Sequence, residues 1–291
     1  MSESGRSRGD LPLGVFDSGL GGLTVVRALR SALPNERILY LGDTARVPYG
    51  TRSAETVVRY ARSCARMLTK RGVKAIVVAC NTVSAVALEM LRAELDLPVL
   101  GVIEPGASAA LAALERLARG SSEPPPKIGV LGTQGTVNSG AYPRALARLT
   151  TRVEVVSQAA PLLVPLVEEG WLDGPVPRLA VERYVAPLLE GGARVIVLGC
   201  THYPLLAPIV REVAERLAGG EVPVVDSALA TADYLLEWVR EDRVPRASEP
   251  PAGVSPSLQL FVTDLPGSFG VVAGRFLGGE LPEVHQVDLE T

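Results

Sequence analysis

The chain has 291 residues, of which 47% are hydrophobic and 21% charged, and it carries a formal net charge of −3. This length suits about two domains, and the composition is that of a globular protein, not of a disordered or fibrous one. The slightly acidic balance and the lack of clustered lysine or arginine argue against a basic nucleic-acid-binding or membrane-binding face. We therefore expect neither a nucleic-acid partner nor a membrane association.

The N-terminus and the cysteines indicate the compartment. The segment MSESGRSRGDLP lacks the apolar run of a secretory signal, and no later segment is long enough to span a bilayer. Cys64, Cys80 and Cys200 lie far apart, which fits neither a disulfide framework nor the paired spacing of a zinc site. We expect a soluble, cytoplasmic protein without a metal site, whose thiols are either reactive or simply buried.

Short apolar runs alternate along the chain with longer stretches of helical periodicity. The runs fall at 13–16, 37–42, 74–79, 98–103, 127–132, 153–157, 194–199 and 222–226. Among the stretches between them, 22–33, 54–72 and 203–220 carry apolar residues every three or four positions and are predicted crossover helices. Stretches rich in Pro, Ser and Glu at 119–127 and 243–256 are predicted surface connections. Continuous apolar strands separated by helices are typical of parallel sheets buried on both faces, so the predicted class is α/β.

One pattern occurs twice in the chain. GVKAIVVACNT (72–82) matches GARVIVLGCTH (192–202) position by position. The neighbouring segments correspond in the same order: 13–22 with 128–137, 38–43 with 153–158, and 98–106 with 223–230. The repeat predicts two similar α/β units. Because ligands bind beyond the carboxyl ends of parallel strands, we expect Cys80 and Cys200 to face one cleft between the units.

Two thiols on opposite sides of a ligand can invert a carbon centre. One thiol removes a proton from one face, and the other delivers a proton to the opposite face of the planar carbanion. A helix N-terminus or a neighbouring cation lowers the pKa of a thiol, which allows one thiolate and one thiol near neutral pH. His202, two residues after Cys200, is suited to this tuning. Cys64 lies in a predicted amphipathic helix and is interpreted as a buried apolar residue.

Two common cofactor classes are disfavoured. Asp17 and Ser18 precede a glycine-rich turn, where backbone N–H groups can hold an anion, but the turn lacks the Gly-x-Gly-x-x-Gly order and a phosphate-loop lysine. Pyridoxal phosphate needs a Schiff-base lysine, and Lys70, Lys74 and Lys127 all lie at helix ends or strand starts, opposite the expected ligand end. We predict chemistry without a cofactor.

Seven segments resemble the successive motifs of one known family. They are FDSGLGGLTV, GDTARVPYG, VVACNTVSA, GVIEPG, VLGTQGTVNSGAY, PLVEEG and VLGCTHYPLL. The family is that of glutamate racemases, cofactor-independent enzymes that supply D-glutamate for bacterial peptidoglycan. The resemblance covers roughly residues 13–240, and 260–278 is more loosely similar to the family's C-terminal element.

The resemblance implies an architecture. It is two pseudo-symmetric parallel-sheet α/β domains with the active site in the cleft between them, the second domain inserted into the first. The expected domains are 13–102 plus 222–291, and 103–221. Family members are commonly dimers, so a homodimer is expected.

The resemblance also assigns roles to residues. Cys80 matches the base that acts on D-glutamate, and Cys200 the base that acts on L-glutamate. The residues that match the family's glutamate-binding positions are Asp17, Ser18, Tyr49, Gly50, Asn81, Thr82, Thr201 and His202. Asp17, His202 and Glu168 match groups that tune the thiols, with Glu169 as the alternative to Glu168.

Three other functions stay open at this point. An aspartate or other amino-acid racemase would share the chemistry and differ in pocket depth. A thiol–disulfide redox protein would use Cys80 and Cys200 as a pair, and a non-catalytic amino-acid-binding module would leave the chirality of its ligand unchanged.

Overall fold

The computed structural model describes residues 8–118, 127–250 and 256–290. Most of the predicted connection at 119–127, and the part of the connection at 243–256 that spans 251–255, lie outside the described residues. Within the described part of the chain, strands and helices alternate as expected, and none of the helices is long and apolar enough to cross a membrane.

The strands, in chain order, are β1 (Leu13–Asp17), β2 (Ile38–Gly42), β3 (Ala75–Val78), β4 (Val99–Gly101), β5 (Lys127–Gly132), β6 (Val155–Ala159), β7 (Ala193–Gly199), β8 (Val224–Asp226), β9 (Leu258–Val262) and β10 (Val284–Gln286). The helices are α1 (Leu23–Ala32), α2 (Ala54–Lys70), α3 (Asn81–Val86), α4 (Leu88–Glu94), α5 (Ile103–Ala118), α6 (Gln134–Ser139), α7 (Ala141–Leu149), α8 (Leu163–Glu168), α9 (Pro175–Glu190), α10 (Ala207–Ala218), α11 (Ser227–Arg240) and α12 (Phe269–Leu277). A 3₁₀ turn at Tyr203–Leu206 precedes α10, so the helix predicted over 203–220 begins a turn later.

The strands form two sheets. The first has the order β10-β9-β2-β1-β3-β4 and the second the order β6-β5-β7-β8, and every pairing is parallel. The order β2-β1-β3-β4 of the first sheet recurs as β6-β5-β7-β8 in the second. The predicted α/β class and the two pseudo-symmetric units are therefore confirmed. The first unit is the one built on the first sheet, and the second unit is the one built on the second sheet.

The expected boundary at residue 222 is wrong for β8. This strand pairs with β7 in the second sheet, with Ile196 opposite Val224 and Leu198 opposite Asp226. The physical reason is that α10 returns the chain to the open edge of β7, as α4 returns it to the edge of β3, where β4 pairs. The repeat within the sequence had matched these two edge strands correctly.

The first unit also has two strands that the apolar pattern did not predict, β9 and β10. They extend the first sheet beyond β2, and the described residues of the second unit hold no counterpart to them. β9 alternates buried and partly exposed residues, and β10 has only three residues. Their apolar signal is therefore much weaker than that of the central strands, which are buried on both faces.

Helices cover both faces of each sheet. α2 and α4 pack on one side of the first sheet and α1 and α12 on the other, while α5 and α7 lie opposite α9 and α10 across the second. α11 contacts both α1 and α5, and one hydrophobic core runs through both units. This shared core holds the carboxyl ends of the two sets of strands toward each other.

Candidate active site

A cavity of about 330 Å³ lies between the two units, and both Cys80 and Cys200 are on its wall. Cys80 follows β3 and Cys200 follows β7, the equivalent strands of the two sheets. The remaining wall residues are Ser18, Gly19, Val47, Pro48, Tyr49, Gly50, Thr51, Asn81, Thr82, Thr133, Gln134, Pro161, Val164, Pro165, Glu168, Thr201 and His202. The structure therefore brings together every predicted site residue except Asp17 on one surface.

Cys80 is held where it keeps its proton. It occupies the N-cap position of α3, is 6% exposed, and its thiol donates to Ser18 Oγ over 3.4 Å. Burial raises the pKa of the thiol to about 12, and the charge of Asp17 acts in the same direction. The contact with Ser18 and the backbone N–H of Val83 oppose this rise.

Cys200 has a cationic neighbour instead. Its Sγ lies 3.9 Å from His202 Nδ1, and His202 Nε2 lies 3.0 Å from Glu168 Oε1. Burial lowers the pKa of His202, but the contacts with Cys200 and Glu168 together outweigh it and raise this pKa to about 10. At neutral pH His202 is therefore an imidazolium that bridges the thiol and the carboxylate. Of the two adjacent glutamates, it is Glu168 that makes this contact.

Asp17 lies behind the cavity wall. It ends β1, is 1% exposed, and one carboxylate oxygen, Oδ2, accepts from the backbone N–H of Gly19 over 3.1 Å. The other oxygen, Oδ1, is buried, and none of the described residues makes a hydrogen bond to it. Burial raises the pKa of Asp17, and the charge of His202 opposes that rise. This placement suits an electrostatic influence on Cys80 and His202 better than direct contact with a ligand.

The glycine-rich turn after Asp17 allows close packing between the units. A Cβ at Gly21 would lie 2.3 Å from Thr201 Oγ1 and 2.6 Å from His202 Nδ1, and a Cβ at Gly22 would lie 2.5 Å from Asp17 Cβ. Only glycine fits these approaches. The sequence had indicated an anion cradle here, whereas the contacts point to a steric requirement at Gly21.

Neutral hydrogen-bonding groups surround the thiols. Thr82 Oγ1 lies 2.9 Å from Thr133 Oγ1, and the Thr133 hydroxyl also accepts from the backbone N–H of Thr136 at the start of α6. Thr201 Oγ1 lies 3.4 Å from His202 Nδ1. Thr133 was not singled out from the sequence, although it stands in the quoted motif VLGTQGTVNSGAY, so the signal was present.

A chain of hydrogen bonds fixes the amide of Asn81. Ser227 Oγ donates to Leu198 O over 2.9 Å, and the Ser227 side chain also contacts the Tyr142 hydroxyl. The Tyr142 hydroxyl accepts from Asn81 Nδ2 over 3.0 Å, while Asn81 Oδ1 has no hydrogen-bond partner in the described part of the chain. Tyr142 is therefore a functional candidate that the sequence reasoning missed, and it too stands in VLGTQGTVNSGAY.

Tyr49 and Gly50 connect the loop before α2 to the site. Tyr49 is 1% exposed, and its hydroxyl donates to the buried carboxylate of Asp43. Gly50 O accepts from the backbone N–H of Gly135 over 3.0 Å, which joins the two units. The hydroxyl of Tyr49 is thus engaged within the protein, in agreement with a packed loop aromatic whose surface forms part of the cavity wall.

Among residues 8–118, 127–250 and 256–290, neither lysine nor arginine contributes to the cavity wall. The three lysines are engaged elsewhere, with Lys70 bound to Glu290, Lys74 to Glu36 and Lys127 to Glu154. Within the described ranges, His, Cys, Asp and Glu side chains form no group of three that could hold a metal ion. The wall therefore offers thiols, hydroxyls, an amide, one imidazolium and one carboxylate.

The comparisons with known proteins agree on one family. A family model described as Asp/Glu/Hydantoin racemase matches residues 23–235. A glutamate racemase from Geobacter metallireducens is 49% identical over 278 residues, which covers 96% of this chain and 97% of the relative. A crystal structure of a glutamate racemase isoform from Bacillus anthracis superimposes with a TM-score of 0.85 at 37% identity, covering 97% of this chain and 98% of the other.

A third relative was solved with a ligand. The glutamate racemase of Francisella tularensis, in complex with D-glutamate, matches with a TM-score of 0.82 at 34% identity, covering 97% of this chain and 98% of the other. Likeness at this identity over nearly the whole length, together with the duplicated fold and the paired thiols, shows that the chain belongs to the glutamate racemases of the Asp/Glu/Hydantoin racemase family.

Proposed function

We propose that this chain interconverts L- and D-glutamate by proton transfer between two thiols, without a cofactor. The observation that carries the proposal is that Cys80 and Cys200, at equivalent positions of two duplicated units, line one cavity. The relatives named as glutamate racemases, and the one solved with D-glutamate, support glutamate as the substrate.

In the direction from L to D, Cys200 acts as the base. Its thiolate takes the α-proton of L-glutamate, and the electron pair of the broken C–H bond is left on the α-carbon and its carboxylate. The Cys80 thiol then gives its proton to the opposite face, which forms D-glutamate and leaves Cys80 as the thiolate. The resting protonation fits this direction, because Cys80 has a raised pKa and the cationic His202 lies 3.9 Å from Cys200 Sγ.

The reverse direction begins with the opposite arrangement of protons. The Cys80 thiolate, which accepts hydrogen bonds from Ser18 and from the backbone N–H of Val83, takes the α-proton of D-glutamate. Cys200 then protonates the other face. Each turnover exchanges the protonation states of the thiols, so protons must redistribute before the next molecule of the same enantiomer reacts.

Neutral groups hold the substrate in this proposal. Thr82, Asn81 and Thr201 lie beside the thiols and offer hydroxyl and amide groups to the carboxylates and the ammonium group. An arginine clamp would bring a permanent positive charge beside both thiols and favour two thiolates, whereas the reaction needs one of them protonated.

The wider biological setting rests on the family resemblance. We infer that the D-glutamate produced enters bacterial peptidoglycan, that the enzyme works in the cytoplasm and that it forms a homodimer. Size-exclusion chromatography with light scattering tests the last of these, because a monomer at working concentration would contradict it.

The test is the purified protein with L-glutamate in D2O, without pyridoxal phosphate or metal. We expect the circular dichroism signal of the amino acid to decay to zero while α-deuterium enters the product. Cys80→Ala and Cys200→Ala should each abolish racemisation, and Cys64→Ala, a change at a buried thiol away from the cavity, should retain it.

Each rival has its own outcome. Full activity in either cavity variant would refute the two-thiol mechanism. Racemisation of L-aspartate but not of L-glutamate would retain the chemistry and overturn the substrate. An unchanged signal with both amino acids, combined with a reversible disulfide between Cys80 and Cys200, would favour the redox protein, and binding of glutamate without turnover would favour the binding module.

A further inference from the structure

The last helix of the first unit reaches the catalytic side of the second unit. α12 packs against α1, and its residue Phe276 is fully buried. The ring of Phe276 meets the ring of His202 edge-on, with 4.9 Å between the centroids and 75° between the planes. One side of the imidazole is therefore in contact with an element from outside the second sheet.

Arg275, the neighbour of Phe276, contacts the turn that follows α8. Its Nη1 donates to the backbone carbonyl of Glu168. The guanidinium lies directly against Gly170, where a Cβ would be 2.6 Å from Arg275 Cζ and where φ is +79°. The left-handed backbone of Gly170 favours glycine there, and a Cβ at this position would displace the guanidinium of Arg275.

Glu168 needs such support. It is the last residue of α8, a helix of six residues, and its side chain is 51% exposed. A long, half-exposed side chain loses rotamer freedom when it is held in one geometry, and an exposed ion pair recovers little of that cost. The 3.0 Å contact between Glu168 Oε1 and His202 Nε2 therefore depends on how firmly the backbone of Glu168 is held.

We propose that Arg275 is a positioning residue, which fixes the turn after α8 so that the Glu168 carboxylate stays against His202 and thereby acts on Cys200. The proposal rests on the proposed function for its catalytic meaning. It makes a residue of the first unit part of the acid–base arrangement of the second. Arg275 is not on the cavity wall, so it acts through Glu168 and not on the substrate.

The charges around His202 determine in which direction its pKa should change when Arg275 is lost. The groups that face it are Cys200 after β7, Glu168 at the end of α8 and Asp17 at the end of β1, and Arg275 adds a cation on α12. Removing a nearby cation without moving anything would raise the pKa of His202. Releasing the Glu168 carboxylate would lower it. The two effects of losing Arg275 are opposite, so a titration distinguishes position from charge.

The chain suits that titration because it has two histidines, His202 and His285. NMR of the imidazole protons over a range of pH follows both, and His285→Gln assigns the signals. The test variant is Arg275→Met, which keeps a long helix-compatible side chain but removes the donors and the charge. Arg211→Met, at an exposed position on α10, is the matched control.

For Arg275→Met we expect the pKa of His202 to fall by about one unit. A shift of this size corresponds to a modest weakening of one interaction, here the contact of His202 with the Glu168 carboxylate. We expect kcat to fall about tenfold or more, the usual consequence of a displaced catalytic geometry, with KM for glutamate unchanged. Arg275→Lys, which retains a cationic donor, should recover part of both losses. Gly170→Ala, which displaces the arginine without removing it, should lower the same pKa.

An unchanged or raised pKa of His202 in Arg275→Met would overturn the proposal, as would an equal fall in Arg211→Met. The titration needs no turnover. If the wild-type protein failed to racemise glutamate, the proposed function would be lost, while the NMR result would still show whether Arg275 holds Glu168 against His202.

Discussion

His202 should couple the stability of the fold to pH, and His202→Gln should remove that coupling. The pKa of this histidine rises from 6.5 to about 10 on folding, because its contacts with Cys200 and Glu168 outweigh the opposing effect of burial. Between these two values the folded protein holds a proton that the unfolded chain has released. The stabilisation is therefore complete below about pH 6.5 and is lost as the pH rises toward 10.

The size of the effect follows from one proton. A difference of one bound proton changes the free energy of unfolding by about 1.4 kcal/mol per pH unit, so about 3 kcal/mol is the upper bound between pH 7 and pH 9. Glu168 is 51% exposed, and solvent screening weakens its part of the interaction. We expect the wild type to lose about 1 to 3 kcal/mol more than His202→Gln over this range.

The assay is urea unfolding at several pH values between 6 and 9, followed by tryptophan fluorescence. Burial also raises the pKa of Cys80 and Cys64, so both proteins lose stability at the alkaline end. That loss is common to the two proteins and cancels in their difference. Parallel curves of unfolding free energy against pH would refute the assignment of a bound proton to His202.

Three further changes test separate parts of the structure. Tyr142→Phe leaves Asn81 Nδ2 without its acceptor, at a cost of about 1 to 3 kcal/mol, and we expect KM for glutamate to rise roughly tenfold in steady-state assays. Gly21→Ala places a methyl group on the Thr201 hydroxyl, and kcat should fall by a factor of ten or more. Lys74→Met leaves a buried glutamate unpaired, so urea unfolding should show a loss of about 3 to 5 kcal/mol with unchanged kcat.

Matched variants separate these effects from general damage. Tyr203→Phe removes a buried tyrosine hydroxyl that contacts only backbone carbonyls, so it should leave KM unchanged. Gly270→Ala adds a methyl group in open space on α12 and should leave kcat unchanged. If kcat of Lys74→Met fell together with its free energy of unfolding, a purely structural role for the buried ion pair between Lys74 and Glu36 would be contradicted.

The central strands were predictable because burial on both faces gives an unbroken apolar run. β1, β3, β5 and β7 appear in the sequence as Val-, Ile- and Leu-rich segments, and the repeat indicated two similar α/β units. β9 and β10, the two outermost strands at one end of the first sheet, were not predicted, because both are only partly buried. The predicted domain boundary at residue 222 assigned β8 to the first unit. Which sheet a three-residue edge strand joins depends on tertiary contacts, and the local sequence pattern does not reveal these contacts.

The site was predictable where chemistry is concentrated in a motif. Cys80 and Cys200 stand at equivalent points of the repeat, and the structure places both on one cavity. Tyr142 and Arg275 could not be singled out in the same way. A tyrosine in a helix is common in protein cores and an arginine near the C-terminus is common on surfaces, so neither indicates a function. They become candidates because of the atoms that they contact across the two units, and only the folded arrangement shows those contacts.

The duplication left the two thiols in unlike surroundings, Cys80 beside Ser18 and Cys200 beside His202. L- and D-glutamate have the same free energy, so the ratio of kcat/KM for the two directions must equal one whatever the protein does. Any difference in kcat that the unlike surroundings create between the enantiomers must therefore be matched by a difference in KM of the same factor. In the proposed two-thiol mechanism, these surroundings set which enantiomer meets the free enzyme with both thiols already in the required protonation states. They thereby set which direction slows first when the redistribution of protons between turnovers becomes limiting.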